Sequence, residues 1–155
     1  EMYNQGIHAR SGVGCADCHM PYMRVGALKV SDHWVRSPLL NVNDACQTCH
    51  TQPEDELLAR AYRIQDTTYE LRTLAIDAVL DLTRAIEAAE RDGTVSSVGL
   101  ESARDYQRQA QFLADFIEAE NSMGFHAPQE AMRVLGHSLN YARLGMAAVL
   151  SGPGS

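Results

Sequence analysis

The chain has 155 residues, 45% hydrophobic and 21% charged, which is enough apolar material for one packed domain and unlike a disordered segment. Its formal charge of −7 excludes nucleic acid as a partner, because phosphate recognition needs a cationic surface. No stretch approaches the roughly 18 uninterrupted apolar residues of a membrane-spanning helix.

In chain order, residues 1–52 are rich in Gly, Pro, Asn and Ser, with no sustained period and no strand pattern. They read as a loop region with short helical turns. The chain opens on Glu1-Met2-Tyr3 without a basic-then-apolar leader, so an export signal is expected to be missing or already removed. The early onset of motif chemistry reads as a piece cut from something longer.

After Pro53 the pattern changes. Leu57, Ala61, Ile64, Thr68, Leu71, Ala75, Ala78, Leu82, Ala85 and Ala89 fall at alternating steps of four and three, a helical stripe. Pro53 followed by Glu54, Asp55 and Glu56 suits the positive end of a helix dipole, and Arg91-Asp92-Gly93 stops the helix. A second helix is predicted from Ser97 to about Asn121, with Ala103, Tyr106, Ala110, Leu113 and Ile117 on one face. A third starts at Pro128, with Ala131, Leu135, Ser138, Ala142, Gly145 and Val149 as its stripe. Short connectors predict an antiparallel three-helix bundle over 53–150, followed by a linker-like flexible tail at 151–155. The many Ala, Gly and Ser positions fit either a tight core within the chain or a stripe shared with a second chain.

All four cysteines lie in two C-x-x-C-H motifs, "CADCH" at Cys15, Cys18 and His19 and "CQTCH" at Cys46, Cys49 and His50. A four-thiolate zinc site does not account for a histidine after each pair, and the gap between Cys18 and Cys46 is long for one. A thioredoxin-like pair needs a strand–helix setting that is missing, and a set of disulfides also leaves the histidines idle. Covalent haem c uses every position: two thiols form thioethers to the porphyrin vinyl groups, and the next histidine ligates the iron. Such attachment takes place outside the cytoplasm, so a periplasmic or otherwise extracytoplasmic location is expected.

Each iron then needs a sixth ligand. His8, His33, His126 and His137 are available, as are Met2, Met20, Met23, Met123, Met132 and Met146. The surplus of histidine favours two imidazoles per iron and a low potential. A saturated iron carries electrons and leaves no position for substrate.

The segments "NQGIHARSGVGCADCHMPY", "KVSDHWVRSPLLN", "ACQTCH" and "EAENSMGFHAP" closely resemble, in order, the C-terminal part of ammonia-forming cytochrome c nitrite reductase, a pentahaem type. The resemblance covers nearly the whole chain. It implies an all-α multihaem fold, with a haem-bearing loop region followed by long antiparallel helices, in a periplasmic homodimer that reduces nitrite to ammonium. It implies His19 and His126 as axial ligands of the fourth haem, and His50 and His8 of the fifth. His33 matches the distal ligand of the second haem, whose attachment motif is not in this chain, so that haem would come from a preceding part or another polypeptide. His137 matches no ligand motif, and a surface or propionate-contacting role is expected. Arg10, Arg24 and Arg36 have the planar guanidinium that suits haem propionates.

The chain has no C-x-x-C-K, the motif of the family's catalytic haem. The family's active-site histidine, arginine and tyrosine and its calcium ligands have no counterpart here, so no catalytic residue is expected in this chain. The leading expectation is the electron-transferring two-haem portion of such a reductase, meeting redox partner proteins and dimerising through the long helices. The alternatives are a free-standing dihaem carrier and a helical oligomerisation module.

Overall fold

The computed structural model describes residues 2–151. Most of the expected tail, from Gly152 on, lies outside them. The first third is a run of short elements: α1 (Ile7–Arg10), α2 (Cys15–His19), β1 (Tyr22–Val25), β2 (Leu28–Ser31) and α3 (Val42–Ala45). Three long helices follow, α4 (Glu54–Asp92), α5 (Ser97–Glu118) and α6 (Pro128–Leu150). The fold is mostly helical, with long helices packed on one another.

Local chemistry sets the helix ends. Glu54, Asp55 and Glu56 occupy the first turn of α4, where carboxylates meet the exposed N–H groups. Ser96 caps α5, its hydroxyl accepting the Gly99 N–H at 3.2 Å. This helix ends at Glu118 and not near Asn121, because Glu120 turns back to accept the N–H groups of Ser122 and Gly124 at 3.1 and 3.2 Å. A side-chain acceptor that offers backbone donors a local partner competes with continued helix. Pro128 then opens α6, where its missing N–H costs nothing.

The core runs along the seam of α4, α5 and α6 and is built largely from small residues. Ala75, Ala103, Ala110, Ala131, Leu82, Leu135 and Ser138 are all fully buried. The small-residue stripe that fitted two readings is therefore spent on packing within the chain. Close helix approach lets the Ser138 hydroxyl donate to the Ala110 carbonyl at 2.7 Å, so the buried polar group is satisfied. Met2, one of the methionines offered as an iron ligand, is instead buried among Ala75, Ile117, Ala131 and Leu135. It pins the start of the loop region to the bundle.

One expectation fails: residues 1–52 are not free of strands. β1 and β2 pair antiparallel, with Tyr22 opposite Ser31 and Val25 opposite Leu28, around a two-residue Gly26-Ala27 turn. The hairpin has no buried face, so its residues lack the apolar alternation that marks a half-buried strand. Lys29 over the Tyr22 ring, 4.3 Å from the centroid, closes the exposed ribbon instead.

Candidate haem-binding site

α2 places Cys15, Cys18 and His19 on one short helix, started by Asp17, whose carboxylate accepts the Gly14 N–H at 2.7 Å. The second motif forms a comparable turn at the end of α3, with the Cys49 and His50 N–H groups donating to the Cys46 carbonyl at 3.1 and 2.9 Å. Among the described residues, no disulfide joins the four cysteines. Burial, followed by the neighbouring Cys46, pushes the Cys18 thiol up; burial, followed by Glu54, does the same at Cys46. Among the described residues, no three His, Cys, Asp or Glu side chains converge as a metal site.

The imidazoles converge in pairs. His126, after the Ser122–Gly124 turn, lies against His19, with ring centroids 6.4 Å apart and planes at 71°. His8, on α1, lies against His50 at 6.1 Å and 86°. A histidine nitrogen sits about 2 Å from the metal it ligates, and its ring centre lies about 1.1 Å farther back, so two rings sharing one metal stand about 6.2 Å apart. Both pairs have that spacing. The residues present fit an iron ligated on two faces.

Tautomers also fit. The His19 Nδ1 lies 3.0 Å from the Arg36 carbonyl oxygen, to which only an N–H can bind, so Nδ1 donates and Nε2 keeps its lone pair. The His126 Nδ1 donates in the same way to Glu120 Oε1 at 2.7 Å. Burial, then the neighbouring His50 and Arg60, lowers the pKa of His8. Phe125 stacks on His8 at 6.0 Å, and Tyr3 meets His126 edge-on at 5.5 Å.

The two pairs are locked to each other. Gly6, two residues before His8, lies so close to the His126 carbonyl that a Cβ would overlap its oxygen. Gln129 adds a bond from its amide to the Gln5 carbonyl at 2.7 Å. On the other side of His126, Gly124 has φ +80° and presses on Thr68 of α4, so neither its backbone nor its surroundings admit a side chain.

His33 stands apart. It lies on the exposed loop after β2, donating from Nδ1 to the Ser31 carbonyl at 2.8 Å, and pairs with no imidazole among the described residues. Its Nε2 is thereby left with a lone pair, as on His19 and His126. Arg36 stacks on Trp34 at 4.2 Å and reaches Asp32 at 3.7 Å. His137 is exposed on α6, one turn from Arg133 and Tyr141. Sequence reasoning missed Glu120, Phe125, Tyr3 and the Arg36 carbonyl. Only Glu120 had a local signal, as an acid six residues before His126 with Ser122 and Gly124 between them.

The profile of the cytochrome c552 family matches residues 1–152. The chain belongs to the cytochrome c552 family. Cytochrome c-552 of Bacteroides fragilis strain YCH46 is 40% identical over 156 residues, covering 97% of this chain and 31% of that protein. The cytochrome c-552 of Maridesulfovibrio salexigens is 34% identical over 157 residues, covering 99% of this chain and 31% of its own length. Among solved structures, the cytochrome c nitrite reductase from Desulfovibrio desulfuricans ATCC 27774 superposes with a TM-score of 0.91 at 29% identity, over 97% of this chain and 33% of that one. The chain is thus homologous to a portion of a cytochrome c nitrite reductase and spans about a third of the length of these relatives. The two cysteine pairs, Cys15/Cys18 and Cys46/Cys49, are consistent with haem c, as expected of a cytochrome c family member.

Proposed function

We propose that this chain is the two-haem, electron-transferring portion of an ammonia-forming cytochrome c nitrite reductase, with the catalytic haem outside it. The observation that carries this reading is the pair of opposed imidazoles beside each C-x-x-C turn, at 6.4 and 6.1 Å. When bound, haem supplies a metal centre that gains and loses one electron. Cys15 and Cys18 would hold one haem, and Cys46 and Cys49 the other. His19 with His126, and His50 with His8, would fill both faces of each iron and keep small molecules off it. The Arg36 carbonyl and Glu120 hold two of these rings in the ligating tautomer.

A larger enzyme is favoured over a free carrier by the surface around the hairpin. Tyr22, Val25, Leu28, Trp34, Val35 and Leu40 are each more than half exposed, an apolar belt that would be costly in water. His33 lies within it. We assign this belt to the rest of the longer protein, whose haem would take His33 as a ligand. The far side of α4 carries a second apolar stripe, Tyr62, Tyr69 and Leu80, which we assign to a homodimer contact. No helix among the described residues is long and apolar enough to cross a membrane. Haem attachment through sulfur argues for a periplasmic location.

The test is the haem content of the purified natural protein. A peptide mass for each of the two motif segments increased by one haem, with a low-spin signal from both, is the expected result. Colourless protein, or zinc at the cysteines, would overturn the reading.

A further inference from the structure

The segment between α5 and α6 is folded around one carboxylate. The Glu120 side chain is almost entirely buried, only 11% exposed. Its Oε2 accepts the Ser122 N–H at 3.1 Å, the Ser122 hydroxyl at 2.7 Å and the Gly124 N–H at 3.2 Å. Its Oε1 accepts Nδ1–H of His126 at 2.7 Å. The Ser122 hydroxyl in turn accepts the His126 backbone N–H at 2.9 Å, and Gln65 of α4 donates to the Ser122 carbonyl at 3.0 Å. Four donors converge on the two oxygens, which leaves no room for a proton: an ionised carboxylate, acceptor only, satisfies them all.

The other three rings differ. His19 meets a neutral backbone carbonyl, and His8 is stacked on the apolar Phe125 with His50 edge-on. The cation Arg60 also acts on His8. Among the described residues, His126 is the ring of the four whose Nδ1–H is hydrogen-bonded to a carboxylate.

We propose that Glu120 is a positioning residue that orients His126 and, through the Nδ1–H bond, lowers the reduction potential of the iron His126 ligates. The inference rests on the haem reading above. A carboxylate behind an imidazole fixes its tautomer and makes the other nitrogen a stronger donor. A stronger donor favours the ferric over the ferrous state, and burial keeps the charge from being screened. The change is a one-electron reduction by an external titrant; no bond forms or breaks, and the proton stays on Nδ1. Ser122, Gly124 and Gln65 act on the iron only by holding the carboxylate.

The experiment is a spectropotentiometric titration of the full natural protein, haem-loaded, comparing Glu120→Gln and Glu120→Asp with the unsubstituted protein. Glu120→Gln should raise one midpoint potential and leave the others in place, with every originally low-spin haem still low-spin and blind to carbon monoxide. Glu120→Asp, which keeps the charge, should return most of the shift. Unchanged midpoints in Glu120→Gln at full haem content would overturn the proposal. So would a new high-spin, carbon monoxide-binding haem in both variants, which would mean that Glu120 only holds the loop. No haem on Cys15 and Cys18 in the unsubstituted protein would sink the haem reading itself, a different failure.

Discussion

Gly6→Ala isolates the contact that ties the two imidazole pairs together. Gly6 has φ −81° and ψ 163°, extended backbone that any residue adopts, so alanine meets no conformational penalty. The obstacle is steric. A Cβ there would overlap the His126 carbonyl oxygen, with the carbonyl carbon at 3.0 Å and the Tyr3 oxygen at 3.2 Å. Carbon and oxygen ordinarily approach no closer than about 3.3 Å, so one side must yield by on the order of 1 Å. If the 122–127 turn yields, His126 leaves His19; if residues 3–7 yield, His8 leaves His50. The ring separations of 6.4 and 6.1 Å leave little slack around the about 6.2 Å that a shared metal requires. Overpacking of this kind costs about 1–3 kcal/mol, and a domain of this size loses about 3 °C of Tm for each kcal/mol. In the haem-loaded natural protein, carbon monoxide difference spectra should reveal one more binding haem per chain than the unsubstituted protein has, and Tm should fall by several degrees. A low-spin spectrum with no added carbon monoxide binding and an unmoved Tm would refute the idea that this contact sets the pairs.

Other substitutions probe separate parts of the argument. His126→Ala should open one iron to carbon monoxide, whereas His33→Ala should open a different one held by the rest of the protein; an unchanged spectrum in either variant removes that histidine from the ligand set. Leu135→Ala, at a fully buried site, should cost about 2–5 kcal/mol in denaturant unfolding, while Ser138→Ala, which loses one hydrogen bond, should cost about 1. Equal losses would mean that the α5–α6 seam is not close-packed at Leu135. Leu80→Glu, on the open face of α4, should weaken dimerisation at least tenfold by sedimentation, with the unfolding midpoint of the monomer little changed. Dimers of undiminished affinity would move the interface elsewhere.

The helices were legible because their signals are local. Acidic residues after Pro53, Ser96 before α5 and Pro128 at α6 act within a turn of themselves, and a stripe repeating near every 3.6 residues demands burial whatever covers it. The hairpin was not legible, since two exposed four-residue strands leave no apolar alternation to read. The end of α5 escaped for a related reason: Glu120 can be recognised as a helix stop only once its carboxylate is seen turned onto Ser122 and Gly124.

By itself, the sequence determined the chemistry on offer: thiols two apart with imidazole next, twice, in a helical chain. That is covalent information, independent of how the chain folds. The family resemblance implied the pairs His19 with His126 and His50 with His8, which residue spacing along the chain does not give; which ring carries a carboxylate behind it was decided by tertiary structure alone. His19 and His126 are far apart in sequence, as are Gly6 and His126, and only the docking of the first residues onto the bundle brings them within a few ångströms. Ligand separation and hydrogen-bond direction fall off over tenths of an ångström, a precision that residue spacing along the chain does not encode and close packing of distant segments does.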